Sequence, residues 1–156
     1  MSDAPTRTYL VVIDDSPEAR VALRFAARRA AKTQGQIEVL AVVEPQEFVQ
    51  WGGVQAAIEE EQRLRIESSV LSAVGEIVDA AGIRPVILVQ QGEPVAVVRS
   101  LVGTRLDIAA LVLGAAPNGP PGPLVAGFTG PDSGKLPCPV MIIPGGLSDE
   151  RLEQLS

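Results

Sequence analysis

The chain has 156 residues, of which 46% are hydrophobic and 21% charged, a balance typical of a globular protein with one domain. A net charge of −6 argues against a general affinity for nucleic acid or anionic lipid, since both need clustered cations. Histidine is absent, which excludes imidazole catalysis, Ser-His-Asp and Cys-His groups, and the usual transition-metal ligand.

Three further features predict a cytoplasmic protein without a membrane partner. No apolar run is long enough to span a bilayer. The first eight residues, MSDAPTRT, lack the apolar core of a secretion signal. Cys138 is the single cysteine, which precludes an internal disulfide and agrees with a reducing compartment.

Apolar runs alternate with helical patterns along the chain. The first run, Tyr9 to Ile13, is continuous, as in a strand buried on both faces of a parallel sheet. Ser16 suits a helix N-cap and Pro17 the first helical position, so a helix should begin there. Gly35 is expected to stop that helix before a second strand from Ile37 to Val43.

The same alternation continues to the end of the chain. After a connection with Phe48 and Trp51, interpreted as a patch over the core, an apolar stripe of period 3.6 over Val70 to Ala81 predicts a long helix. Alternating strands and helices predict an α/β fold that is doubly wound around a parallel sheet. The remaining predicted elements are strands at Pro85–Val89, Ile108–Gly114 and Val140–Ile143, and a short helix from Pro94 to Leu101 opened by Gly92 or Glu93.

Two later segments are less regular. Glycines and Pro131 work against a helix between Leu124 and Leu136, so a broken or short helix is expected there. Residues 1–145 are interpreted as a single domain and residues 146–156 as a C-terminal tail. Ser148 could cap a short helix in this tail, with Leu147 and Leu152 spaced for a hydrophobic staple.

The loop after the fourth strand is unusual in composition. Nine of the fifteen residues from Pro117 to Pro131 are Gly or Pro. A buried strand that ends at Gly114 and opens into such a loop is typical of phosphate sites, because main-chain N–H groups can approach an anion closely. Its prolines have no N–H to donate, so a rigid cover over the sheet edge is the alternative interpretation.

Four motifs together resemble the universal stress protein family over about residues 8 to 144: Val11–Glu18, Gly92–Pro94, Leu111–Gly114 and Pro137–Ile143. The resemblance implies a Rossmann-like, five-stranded parallel sheet of order 3-2-1-4-5. It also implies a homodimer joined partly through the last strand, by Val140, Met141, Ile142 and Ile143. In one branch of the family it implies ATP or AMP, bound where the loops after strands 1 and 4 meet.

The resemblance also assigns candidate nucleotide-binding residues. Asp14 would contact the nucleoside, and the main chain of Val42 would read adenine. The family's glycine motif would start at Gly114 and place its third glycine at Gly127 in one alignment, while counting back from Pro139 shifts the motif by one residue. Gly119 and Gly122 are further candidates for close backbone approach, and Thr129 is the nearest hydroxyl group.

Two functions therefore stay open. One is a cytosolic ATP or AMP sensor whose occupancy biases the dimer or a partner surface, and the other is a nucleotide-free dimeric interaction module of the same fold. Asp14 could instead cap the turn that follows it. An enzyme is not expected, and a slow ATPase is a distant third alternative, because the stretch from Gly114 to Pro131 has no acidic residue for a catalytic metal. The Walker-A-like run Gly130–Leu136 is one residue short and should not follow a strand.

Overall fold

The structure is a computed structural model that describes residues 7–44 and 52–156. Residues 1–6 and 45–51, and with them Phe48 and Trp51, lie outside the described residues. The elements are, in chain order, β1 (Thr8–Ile13), α1 (Pro17–Thr33), β2 (Gln36–Val43), α2 (Gly52–Ala81), β3 (Val86–Gln91), α3 (Pro94–Thr104), β4 (Ile108–Ala115), α4 (Pro123–Phe128), a 3-10 turn (Ser133–Lys135), β5 (Val140–Pro144) and α5 (Asp149–Leu155).

The five strands form one parallel sheet in the order β3-β2-β1-β4-β5, which confirms the predicted topology. β1 lies at the centre and is buried over its whole length, as its continuous apolar run indicated. β3 and β5 form the two edges of the sheet.

Two apolar cores cover the two faces of the sheet. Tyr9, Val11 and Ile13 of β1 point to one side and pack with α1, α2 and α5. Leu10 and Val12 alternate to the other side and pack with α3 and α4. The doubly wound arrangement follows from this alternation of buried side chains. Within the described part of the chain, no helix is both long enough and apolar enough to cross a membrane.

The ends of α1 are set by local chemistry. The Ser16 hydroxyl accepts a hydrogen bond from the Ala19 N–H at 3.3 Å, and Pro17 occupies the first turn, as predicted. At the other end, Gln34 and not Gly35 adopts the left-handed conformation, with φ 58°. Gly35 is needed for a different reason: a Cβ there would lie 2.8 Å from the Tyr9 ring.

The later helices form where the sequence predicts them, and they differ from the prediction only in their caps and end points. Glu93, of the two candidates, caps α3: its carboxylate accepts from the N–H groups of Val95 and Ala96 at 3.0 and 2.8 Å. The helix continues to Thr104, three residues beyond the predicted end. Between residues 124 and 136 the helix is broken, as expected, into the six-residue α4 and the 3-10 turn.

The C-terminal segment folds back onto α1. The Ser148 hydroxyl accepts from the Arg151 N–H at 3.1 Å and so caps α5. Leu152 is 2% exposed and belongs to the core beneath α1. Arg24 of α1 forms an ion pair with Asp149 at 2.7 Å.

A polar cluster ties the strands together at the amino edge of the sheet. Arg105, just after α3, contacts Glu38 of β2 at 2.9 Å and Asp107 at 2.7 Å. Thr8 of β1 donates its hydroxyl to Asp107 at 3.1 Å. The hydrogen bond from Arg105 lowers the pKa of Asp107 to about 2, and the two carboxylates raise the pKa of Arg105 above its usual value. The Glu38 side chain is only 10% exposed and depends on Arg105 for its compensating charge.

Candidate functional site

A cleft opens at the carboxyl edge of the sheet between β1 and β4. The connection after β1 leads to α1 on one face, whereas the connection after β4 leads to α4 on the other, so the two loops diverge. Such a switch point is where open α/β sheets bind ligands. The cleft has a volume of about 100 Å³ and is lined by Val12, Asp14, Ser16, Glu18, Ala19, Leu113, Gly114, Pro121, Gly122, Pro123, Leu124 and Val125.

Asp14 lies at this cleft but is already engaged. Its carboxylate accepts hydrogen bonds from the N–H of Ser16, at 2.8 Å, and from the Ser16 hydroxyl. Ser16 in turn caps α1, so Asp14 supports the first turn of the helix. The local geometry is that of the capping alternative, with the carboxylate still exposed to the cleft.

Gly114 is explained by packing between β4 and α1. A Cβ at this position would lie 2.2 Å from the carbonyl oxygen of Glu18 and 3.0 Å from the nitrogen of Ala19. The strand and the first turn of the helix therefore meet main chain to main chain. Gly145, after β5, shows the same close approach: its Cβ would lie 2.7 Å from the Cβ of Glu18.

The two central glycines of the loop have open space around them. Gly122 precedes α4 with φ 121° and lines the cleft, whereas Gly119 has φ 74° and lies outside the lining. Both positive values favour glycine. The N–H of Ala116 donates to the carbonyl of Pro121 at 3.1 Å, so the loop closes on itself through a main-chain hydrogen bond.

The other three candidates do not line the cleft. Val42 packs its side chain into the core beneath α3 and α4, one residue beyond Ala41, which pairs with Ile13. Gly127 lies against α3: a Cβ there would be 2.9 Å from the Val95 side chain. The Thr129 hydroxyl donates to the carbonyl of Val125 at 2.8 Å, at the end of α4. The cleft therefore brings together Asp14, Gly114 and Gly122 and leaves Val42, Gly119, Gly127 and Thr129 outside.

Every charged side chain among the described residues that line the cleft is acidic. Of the described residues around the cleft, the charged ones are Asp14 and Glu18, both carboxylates. Sequence reasoning missed Glu18, although Gly114 was the available signal, since a glycine at the end of a strand marks a close approach by a neighbouring element. Pro121 and Pro123 also line the cleft and have no N–H to offer.

The geometry of the described residues supports neither a metal site nor a P-loop. Within residues 7–44 and 52–156, no group of three or more His, Cys, Asp and Glu side chains could hold a metal ion. The Walker-A-like run Gly130–Leu136 forms the 3-10 turn and follows α4 instead of a strand, as expected. The run therefore lacks the strand-loop-helix context of a P-loop.

Residues 5–144 match the model of the universal stress protein family. The chain belongs to this family. This universal stress protein is similar in structure to the universal stress protein UspA from Lactobacillus plantarum, with a TM-score of 0.74, 17% identity, and coverage of 90% of this chain and 99% of the other. Membership in this family is consistent with the expectation that the protein is not an enzyme.

Two further structural neighbours of this universal stress protein contain nucleotides. The protein from Archaeoglobus fulgidus in complex with dAMP has a TM-score of 0.64 and 18% identity, covering 88% of this chain and 97% of the other. A family protein from Arabidopsis thaliana with AMP bound has a TM-score of 0.59 and 19% identity, covering 94% and 95%. No curated protein matches the sequence.

The strand predicted to form the dimer lies at a sheet edge. β5 pairs with β4 on one side and with no other strand of the described residues. Ile142 is 40% exposed, Val140 and Met141 are half-buried, and Ile143 is buried in the core. An edge strand with an exposed apolar side chain has free main-chain groups that a second chain can pair with.

Proposed function

We propose that this universal stress protein is a cytosolic, dimeric interaction module that acts through protein contacts without a nucleotide in the cleft. The observation that carries this proposal is the size and lining of the cleft. Its volume of about 100 Å³ is smaller than the roughly 300 Å³ at which small-molecule sites begin. A nucleotide has no room in it unless the loop after β4 moves away.

The polar groups of the cleft also fit a phosphate poorly. Asp14 and Glu18 would both repel it, because like charges in a partly desolvated site interact unfavourably. Pro121 and Pro123 offer no N–H, and the N–H of Ala116 is already bonded to Pro121. The close contact of Gly114 with Glu18 fixes the base of the cleft.

The module is proposed to dimerise through β5. We expect Ile142→Lys to weaken this dimer at least about tenfold, because the exposed apolar side chain would be replaced by a charge at the centre of the contact. Sedimentation equilibrium over a range of concentrations measures this change. Leu106→Lys is the matched control, since Leu106 is 101% exposed in the α3–β4 connection. If Ile142→Lys leaves the mass unchanged, β5 is not an interface.

A second candidate function is sensing of an adenine nucleotide. One observation favours it: Asp14 and Gly122 both line the cleft at the switch point, where sheets of this type bind ligands. The dAMP and AMP in the two structural neighbours add support. If a nucleotide bound, Asp14 and the main chain around Gly122 would hold it, and its binding would stabilise the folded protein by an amount that grows with the logarithm of its concentration above the dissociation constant.

Mass spectrometry of the purified, denatured protein separates the two functions. We expect no co-purifying adenine nucleotide, and no heat of binding when AMP or ATP is titrated into the protein.

Asp14→Ala should lower the free energy of unfolding by about 1 kcal/mol, because the capping bonds of Asp14 are lost. The loss should be larger than for Asp15→Ala, the adjacent control outside the cleft lining. Stoichiometric nucleotide, or heat of binding that is lost in Asp14→Ala only, would instead establish the sensor.

A further inference from the structure

The opposite edge of the sheet carries a second exposed apolar surface. β3 has no fully buried residue, and Val86 and Ile87 are 56% and 37% exposed. Its sequence, VILVQQ, contains no charge and no proline. Natural edge strands are commonly protected by charged residues, prolines or bulges, and β3 has none of these.

α2 extends this surface beyond the strand. Leu71 is 62% exposed, and Leu64, seven residues earlier on the same side of the helix, is 56% exposed. A groove of about 360 Å³ runs between helix and strand, lined by Arg63, Glu67, Leu71, Ile87 and Val89. We name the surface formed by these five residues and Leu64 the α2–β3 surface. Contiguous apolar exposure of this kind marks an interaction site on a globular protein.

The charged side chains on this surface indicate which molecule docks on it. Arg63 and Glu67 lie one helical turn apart, with Nε and Oε1 separated by 3.2 Å. Both side chains are accessible, being 57% and 38% exposed. In a twofold interface a residue i that contacts j is matched by j contacting i. The α2–β3 surface meets this condition when Arg63 of each copy lies opposite Glu67 of the other copy and the apolar side chains meet between them.

The main chain of β3 is self-complementary in the same way. As the edge of the sheet, β3 pairs with β2 on one side, and on the other side no strand among residues 7–44 and 52–156 pairs with its N–H and C=O groups. Two copies related by a twofold axis would align these strands antiparallel, which is the stronger pairing geometry. The apolar groove beside each strand would be covered by the same contact.

We propose that a second copy of this chain docks on the α2–β3 surface. This interface is separate from the one proposed at β5, since the two strands form opposite edges of the sheet. A chain with two such interfaces assembles beyond the dimer, either by closing into a higher symmetry or by extending. With the α2–β3 surface and β5, this universal stress protein would have two interfaces for copies of itself.

The test uses sedimentation of variants that block each edge in turn. The wild type should sediment as a species larger than a dimer, and Ile142→Lys, which blocks β5, should reduce it to a dimer held by the α2–β3 surface. Adding Leu71→Lys should then weaken association at least about tenfold, since a charge replaces an apolar side chain of the interface. Leu106→Lys in place of Leu71→Lys is the control and should leave the Ile142→Lys dimer intact.

A charge exchange tests the complementarity directly. In the Ile142→Lys background, Arg63→Glu alone and Glu67→Arg alone should each weaken the dimer, and the two together should restore it, because the exchanged pair is again self-complementary. These side chains are exposed, so the variants should fold like the parent in circular dichroism melts.

The outcomes also separate this proposal from the one at β5. If Ile142→Lys alone gives a monomer at all accessible concentrations, or if Leu71→Lys leaves its dimer unchanged, a second copy does not dock on the α2–β3 surface. If Ile142→Lys has no effect on the wild-type mass while Leu71→Lys abolishes association, the β5 interface fails and the α2–β3 interface stands.

Discussion

Replacing Gly114 with alanine should destabilise the protein by about 3 kcal/mol or more, the upper range for an overpacked site. The added Cβ would lie 2.2 Å from the carbonyl oxygen of Glu18, a contact that no rotamer change can relieve because the backbone fixes the position of a Cβ and the oxygen belongs to the main chain. To accommodate it, β4 would have to separate from the first turn of α1. Urea unfolding followed by circular dichroism measures the loss as a lower midpoint at constant slope.

Gly75→Ala is the matched control for this experiment. Gly75 lies in α2, and a Cβ there would meet nothing within 4 Å. Alanine should therefore leave stability unchanged or raise it by up to about 1 kcal/mol, through its better helix propensity. Equal stability of Gly114→Ala and the wild type would mean that β4 and α1 do not pack main chain to main chain.

Replacing Arg105 with methionine should cost about 2 kcal/mol, less than for a fully buried ion pair because the Arg105 side chain is 32% exposed. The substitution keeps an unbranched apolar stem but leaves the carboxylate of Glu38, whose side chain is 10% exposed, without its cation. Combining it with Glu38→Met should recover most of the loss, because two apolar side chains then replace the pair. A double variant no more stable than Arg105→Met would show that the charge of Glu38 is not the source of the cost.

The same cluster sets part of the acid dependence of stability. The folded-state pKa of Asp107 is about 2, below its ordinary value of 3.8, so its contribution is present above about pH 4 and is lost as the pH falls towards 2. Its side chain is 39% exposed, so solvent screening limits this contribution to about 1 kcal/mol. The difference in stability between wild type and Arg105→Met should therefore narrow over that pH interval.

The sheet was predictable because its signals are local. A continuous apolar run such as Tyr9–Ile13 can be buried only with cover on both faces, and Ser16 with Pro17 marks a helix start by main-chain chemistry alone. The residue at which α1 ends was harder to predict from the sequence. Gln34 takes the left-handed position, since Gly35 is held by its contact with the Tyr9 ring.

The candidate site was predictable only in part, for a physical reason. Asp14 and Gly114 follow from where strands end and Gly122 from the composition of the loop after β4, and the structure places all three around one cleft. Thr129 has a hydroxyl near the right position in sequence, but the end of α4 uses it for the carbonyl of Val125. Whether a hydroxyl or N–H group is free for a ligand depends on partners that only the folded chain defines.

Contacts between distant residues gave no sequence signal. Arg105 meets Glu38 across 67 positions of the chain, and neither residue stands in a motif. The exposure of β3 has no signal in its own residues, because the run Val86–Val89 is as apolar as a central strand. Only the sheet order, which the family resemblance implied, places this strand at an edge and leaves it uncovered.

The contact between Gly114 and Glu18 also limits how this fold can be redesigned. Because main-chain atoms set the separation of β4 from α1, trimming side chains around the cleft changes its polarity without widening its base. A protein engineer who wished to install a roomier pocket here would have to rebuild the segment between Ala116 and Gly122, in length or in backbone path. Insertions in that segment, and not point substitutions around it, are the changes through which related sequences could gain or lose a ligand at this place.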